Sequence, residues 1–456
     1  MNKILKLVIF LMSILIIIII RKMLIDDYYY NYFLNYLIYS TLFLFLTLII
    51  FFQKKKYFKL LFISIFLSSV AAIYMFEIYI TFKKKNFIND LDRRQYYAQK
   101  TGISFDTRSK FQFISDLNNN GEQVIPTVPP NDILSKTREK INDNTIFAVA
   151  GISNSKTVFC NESGKRIVYF SDRYGFRNKD QIWNNDKVDI AILGDSHVHG
   201  ACVEDNDVTA NLLSKILEKK VLNLGYQGHG PLMQLAALKE YAIKKKPKIV
   251  LWYYFESNDL GNMVDEILID KLNLYRTPEH TQNLISNQKM INKQLLELIK
   301  FGVKIREEKN LEKKRINWIN IVKMSNLRES LSPFLPVNKA VLKHRYSPID
   351  PLEEYFKLLN IAIKTVNSWK GELYFVYHPH PSRYTGTYTF QYGERQYKKF
   401  LKRLGKLKVK TIDLKKDLFD KVGSSKELYH FGIAGHPSEN GYKITAEYLA
   451  KILENE

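Results

Sequence analysis

The sequence predicts an α/β domain built on a parallel sheet, carried behind N-terminal transmembrane helices. Three observations lead there. Residues 1–82 are almost continuously apolar, whereas the rest of the 456-residue chain is polar. Beyond residue 188, short apolar runs alternate with helix-like stretches, the pattern of a parallel sheet. The residues best suited to chemistry fall where those runs end, and such sheets work beyond the carboxyl ends of their strands.

Composition narrows the function. Apolar residues make up 46% and aromatics 13%, which excludes a disordered chain. Two cysteines are too few for a disulfide scaffold or a cysteine-rich zinc module. Lys+Arg number 68 against 46 Asp+Glu, a formal charge of +22. That excess suits anionic lipid head groups or acidic glycans, but A/T-rich codon usage produces the same Lys, Asn, Ile, Tyr and Phe bias. The lysines are scattered and no nucleic-acid motif accompanies them, so no nucleic-acid partner is expected.

The elements follow in order. Residues 4–20 are apolar apart from Lys6 and Ser13, and end at Arg21 and Lys22. Residues 32–52 carry no charge, and residues 60–82 carry only Glu77. Each run approaches the roughly 20 residues that cross a bilayer core. No small-residue cleavage site follows the first run, so an uncleaved anchor is expected rather than a signal peptide. Three membrane helices in a 1–85 anchor are the first reading, with a re-entrant hairpin for one of them as the alternative. Lys54, Lys55, Lys56 and Lys59 mark the second loop as cytoplasmic, and Lys3 and Lys6 place the N-terminus on the same side. Three crossings then put the large C-terminal part outside. Lys83 to Lys85 oppose this, but they lead into a long domain, where the rule is weaker.

Residues 86–165 read as a stalk. Asp106 or Thr107 is the expected cap of a helix running to about Leu117, and Asn118, Asn119, Asn120 and Gly121 read as a turn. Residues 124–130 contain three prolines and should be extended. No chemistry is legible in this stretch. The domain proper is expected over 166–456. Residues 188–193, 221–224 and 248–255 are strand candidates, separated by a helix starting near Asp207 and another over 231–245. A fourth candidate is 373–377, and an amphipathic helix should close the chain over 439–453.

Ser196, Gly225 and Asn258 lie just past the first three strands. A serine on a tight turn projects its hydroxyl into a cleft, and N–H groups there face a developing oxyanion. Glycine admits a second N–H closely, and an asparagine amide offers a third donor. The serine needs a base. His436, just before the last helix, is the candidate.

Gly194-Asp195-Ser196, Asn223-Leu224-Gly225, Ser257-Asn258-Asp259 and Gly435-His436-Pro437 occur in the order of the SGNH/GDSL hydrolase motifs, and residues 185–455, with the insertion excluded, resemble that superfamily. The resemblance implies a three-layer α/β/α fold with a five-stranded parallel sheet of flavodoxin-like type. It implies Ser196 as nucleophile and His436 as general base. The oxyanion hole it implies is Ser196 N–H, Gly225 N–H and the Asn258 side chain. Two departures stand out. Glu256 occupies the place where the third motif usually opens with glycine. Ile433 and Ala434 occupy the places where an aspartate usually precedes the histidine, so a Ser196–His436 dyad with some other support, or a reduced activity, is expected. Asp420 and Glu427 are nearby in sequence.

Other residues have two readings each. Asp195 suits stabilisation of the turn, and His197 and His199 suit polar loop filling. Asp195, His197, His229 and His378 are also candidates for substrate contact at the cleft edge. His378 and His380 lack a carboxylate or cysteine at ligand spacing, so no metal and no cofactor are expected. Gly175-Phe176-Arg177-Asn178 reads either as a turn packing Phe176 against the sheet or as a counterpart of the segments that occur just upstream of the nucleophile in relatives associated with surface-polysaccharide modification. Cys160 and Cys202 could pair outside the cytoplasm and tie the stalk to the catalytic loop. Residues 262–345 read as a helical insertion, solvated, or forming a cap over the cleft or a partner-binding surface. The expected function is esterase or O-acetyltransferase chemistry on an acylated glycan or lipid-linked saccharide outside the cytoplasmic membrane. A transferase would need a membrane acyl-donor protein as partner. The alternative is a degenerate domain acting as a glycan-binding or scaffold component.

Overall fold

The computed structural model describes residues 2–25, 30–86, 90–129, 146–312, 321–325, 327, 350–385 and 391–454. The chain divides into two compact units, one of Met1–Ile88 with Arg315–Ser347 and one of Asn89–Lys314 with Pro348–Glu456.

The first unit contains three helices, α1 (Asn2–Ile25), α2 (Tyr30–Phe52) and α3 (Lys56–Asn86). Asn2–Arg21 and Lys56–Thr81 are long and apolar enough to cross a bilayer, and the apolar stretch Tyr36–Phe52 within α2 is shorter. Large apolar side chains such as Phe10, Ile17, Phe45 and Met75 point outward from these helices. Glu77, the single acid of the third run, is buried and accepts the Leu327 N–H at 2.6 Å.

The second unit starts with α4 (Asp90–Thr101) and α5 (Lys110–Asn119). Ser109, not Asp106 or Thr107, caps α5 in a reciprocal box with Gln112. Asp106 is instead occupied by Arg108, and the expected turn at Asn118 is still helix. A small sheet follows, in which β1 (Val124–Pro126) pairs parallel with β2 (Lys156–Val158) and β2 antiparallel with β3 (Val168–Phe170). The stretch expected to be a stalk is thus structured where it is described; residues 130–145 lie outside the described residues.

The main sheet is five-stranded and all-parallel. Its strands are β4 (Ile190–Leu193), β5 (Val221–Asn223), β6 (Ile249–Phe255), β7 (Glu372–His378) and β8 (Lys410–Asp413), in the order β5-β4-β6-β7-β8. That is the flavodoxin-like order, with its switch point between β4 and β6. Every residue of β6 is buried, as a central parallel strand requires. Alternate residues feed opposite faces. Ala191, Leu193, Val250 and Trp252 join one core with the helices starting at Pro231 and Pro351. Ile190, Ile192, Ile249 and Leu251 join another with the helices Thr209–Leu217 and Glu439–Leu453. The result is three layers.

The helix expected over 231–245 contains a π-helical turn at Leu238–Ala242. The wider turn sets Glu240 against the Tyr275 hydroxyl at 2.6 Å and the Leu284 N–H at 3.0 Å. That bond anchors the beginning of the expected insertion in the core, where Met263, Leu272, Tyr275, Leu284 and Ile291 are buried. Residues 262–295 are therefore neither a solvated excursion nor a cap. Of the remainder of that segment, residues 313–320, 326 and 328–345 lie outside the described residues.

Candidate active site

Ser196 opens a helical turn, Ser196–His199, directly after β4. Asp195 caps that turn by accepting the His197 N–H at 2.9 Å. Gly194 and Gly225 let the turn sit close on the strand ends, because a Cβ on either would collide with Val198. Asn223 holds it from below, donating from its side chain to the Val198 carbonyl at 2.9 Å. Asn178 in turn exchanges two hydrogen bonds with the Asn223 backbone, at 2.9 and 2.8 Å. Arg177 donates to the Gly200 and Val203 carbonyls at 2.6 and 2.9 Å. The Gly175–Asn178 segment thus braces the serine turn, while Phe176 fills the core beside it.

The structure brings Ser196 and His436 together across 240 positions of sequence, with Oγ 2.8 Å from Nε2. The serine is 9% exposed and the histidine side chain 24%. The acid missing before the histidine is supplied from elsewhere. Glu162, in the stretch read as a stalk, places Oε1 2.8 Å from His436 Nδ1, and its Oε2 accepts the His436 backbone N–H at 2.9 Å. A carboxylate only accepts, so Nδ1 carries the proton and Nε2 is left to accept from the serine hydroxyl. Ser196, His436 and Glu162 are thus linked in a row, with Glu162 standing in for the aspartate that the sequence lacks before His436. Asp420 serves Tyr384 and Lys415 instead, both at 2.9 Å, and the Glu427 carbonyl accepts from the Ser438 hydroxyl at 3.1 Å.

Two features hold Glu162 in place. Cys160 is disulfide-bonded to Cys202, closing a 42-residue separation between the Glu162 loop and the serine loop. Arg94 of α4 lies with Nη2 3.1 Å from Glu162 Oε2. The aromatic residues of the small sheet back the serine turn: Tyr169 hydroxyl lies 3.0 Å from His199 Nε2, and Phe159 stacks on the same ring at 4.5 Å.

Electrostatics sharpen the pair. Burial works against a charged Glu162, but His436 and Arg94 hold its carboxyl down at about 2. Burial also works against a charged His436, yet the Glu162 carboxylate, by charge and hydrogen bond, and then Asp195 hold its pKa above the ordinary 6.5. The base is thereby both oriented and made more basic.

The remaining candidates behave differently. Asn258, three residues past β6 and the N-cap of the helix Asp259–Ile267, donates to Asp195 Oδ2 at 3.4 Å, which brings its amide to the serine turn. Gly225 N–H donates to Asn223 Oδ1 at 2.9 Å, so it is occupied within its own turn. Gly225 acts by admitting close packing, a correction to the oxyanion role expected for its N–H. Asp195, His197, His229 and His378 are all buried. Asp195 is the cap. His229 is fully buried with Nε2 2.5 Å from the Val149 carbonyl. The His197 ring packs tilted against Phe255, with centroids 3.9 Å apart, and against His378, at 4.5 Å. Burial pushes the pKa of both rings down, His378 furthest, so the wall behind His436 is uncharged.

No protein-family model matches the chain, and no curated protein matches it significantly. Among solved structures it is similar to a protein from Desulfitobacterium hafniense DCB-2 described as a lipolytic protein of the G-D-S-L family. That likeness has a TM-score of 0.32 at 14% identity and covers 59% of this chain and 99% of that one. It is also similar to a mutant of Axe2, an acetyl-xylooligosaccharide esterase from Geobacillus stearmophilus. Here the TM-score is 0.31 at 16% identity, covering 59% of this chain and 93% of that one.

Proposed function

We propose that this chain is a membrane-anchored serine esterase or O-acyltransferase of SGNH type. In this reading it removes or transfers acetyl groups on extracytoplasmic glycans or lipid-linked saccharides. The observation that carries the chemistry is the Ser196–His436–Glu162 relay, with 2.8 Å at each link. The parallel sheet, the motif order and the serine turn at the end of β4 support it.

Ser196 Oγ attacks the acyl carbonyl as His436 Nε2 takes its proton. Glu162 stabilises the resulting imidazolium without taking the proton. The Ser196 N–H, at the start of the helical turn, and the Asn258 amide hold the tetrahedral oxyanion. Collapse expels the sugar alkoxide, which is protonated by His436, and leaves an acyl-enzyme. Water then makes the protein an esterase, and a sugar hydroxyl makes it a transferase. The apolar helices α1 and α3 support attachment to a membrane. Such attachment favours a glycan or lipid-linked substrate held at the surface, and a transferase would need a membrane partner to deliver acyl groups.

The scaffold alternative drew its best support from the missing aspartate, and Glu162 on His436 Nδ1 weighs against it. The test is labelling of the detergent-solubilised full chain with a fluorophosphonate probe, alongside hydrolysis of p-nitrophenyl acetate. Wild type should label at Ser196 and hydrolyse, and Ser196→Ala should lose both, by at least about 10³-fold in rate. Equal rates for the two proteins would remove the serine mechanism.

A further inference from the structure

We propose that Arg94 is a positioning residue for the Glu162–His436 pair, fixing one carboxylate oxygen so that the other is aimed at the imidazole. The inference rests on the triad reading above and adds to it a cation from α4. Arg94 is 1% exposed, and a buried guanidinium must be fully paired. Three of its contacts fall in the site. Nη2 lies 3.1 Å from Glu162 Oε2 and 3.0 Å from the Ala434 carbonyl, and Nη1 lies 3.5 Å from the Glu162 carbonyl. It therefore grips the acid-bearing loop and, two residues before His436, the base-bearing loop.

The carboxylate geometry shows what this grip does. Glu162 Oε2 takes the His436 N–H and faces Arg94, which uses that oxygen in full. Oε1 is left for Nδ1 alone. Without the guanidinium, Oε2 has one donor and the carboxylate is free to turn about its last bond. Gly435 adds independent support. A Cβ there would collide with both Arg94 Nη2 and Glu162 Oε2, so the residue beside the base leaves room for this ion pair.

A positioning role and a plain through-space charge predict opposite results. The Arg94 charge alone lowers the His436 pKa, whereas Glu162 raises it more strongly. If Arg94 only contributes charge, its removal moves His436 titration to higher pH. If it aims Glu162, its removal weakens the dominant bond and moves titration to lower pH.

The experiment is a pH titration of the full chain, labelled with ¹⁵N-histidine in detergent micelles, for wild type, Arg94→Ala and Arg94→Lys. Nine histidines make the spectrum tractable, and His436→Gln assigns the resonance. Wild type should show a low-field Nδ1 proton. Arg94→Ala should lose it and titrate lower, with kcat on p-nitrophenyl acetate down about 10- to 100-fold and KM little changed. Arg94→Lys should recover part of each. An unmoved or upward titration with the low-field proton retained would overturn the proposal. Should Arg94→Ala fail to fold, wild-type values in folded Arg94→Lys would overturn it equally. If wild type proves inert to probe and ester, the esterase reading falls, while the titration still decides Arg94.

Discussion

Glu162 sets both the orientation and the basicity of His436, and its effects are readable one substitution at a time. Glu162→Gln keeps the shape but offers an amide in place of a carboxylate. We expect kcat to fall about 10²- to 10⁴-fold, as when the acid of a triad is neutralised. The pH profile carries the sign. Activity needs neutral His436, so the rate rises as pH climbs through a pKa held above 6.5. Removing the carboxylate lets that pKa drop, so the acidic limb of kcat/KM should move to lower pH even as the plateau falls. Stability has its own pH dependence. The Glu162 carboxyl is lowered from 4.5 to about 2, so its contribution is present above pH 4.5 and lost as pH falls towards 2. An acid melt of wild type and Glu162→Gln should therefore differ above that window and converge below it. Gly435→Ala should reduce kcat in the same direction as Arg94→Ala, since its methyl group displaces the pair those residues share.

At the scale of elements, the disulfide matters most, because it joins the loop that carries the acid to the loop that carries the nucleophile. A closed separation of 42 residues corresponds to about 4 kcal/mol in the chain-entropy account. Cys160→Ser with Cys202→Ser should lower the midpoint of denaturant unfolding and reduce kcat. Reductant should do the same to wild type and nothing further to the double variant. The parallel sheet was legible because β4, β6 and β7 are apolar runs that end in turn residues. β8 was not, because two of its four residues are exposed and no apolar run marks an edge strand. The strands of the small sheet are three residues each, too short for any periodicity to register. The motifs around Ser196, Asn223 and His436 were legible because each belongs to one strand end or one loop. Glu162 lies in a separate loop, outside those motifs, and reaches His436 only by tertiary packing. Its one signal was position, two residues beyond a cysteine free to pair with the serine loop. The histidines show the reverse limit: sequence places them at the sheet edge, but their burial there is decided by neighbours such as Phe255 and Phe419.

For the molecule as a whole, the parts divide differently from the first reading of the sequence. The residues that complete the site begin at Arg94, four positions into the second unit as it is described from Asp90. A protein starting at residue 166, where sequence alone opens the domain, would keep Ser196 and His436 but lack Glu162, Arg94 and Cys160. We expect it to be inactive, and a protein starting at residue 89 to retain hydrolysis of p-nitrophenyl acetate. The same shorter protein should leave the detergent-dependent fraction on centrifugation, since α1 and α3 go with the deleted part. The acid's arrival from ahead of the nucleophile has a wider consequence. A pattern that looks for an acidic residue just upstream of the histidine would file such a chain among inactivated homologues. Proteins discarded on that ground, yet carrying a cysteine-linked glutamate in an earlier segment, are worth assaying as working catalysts.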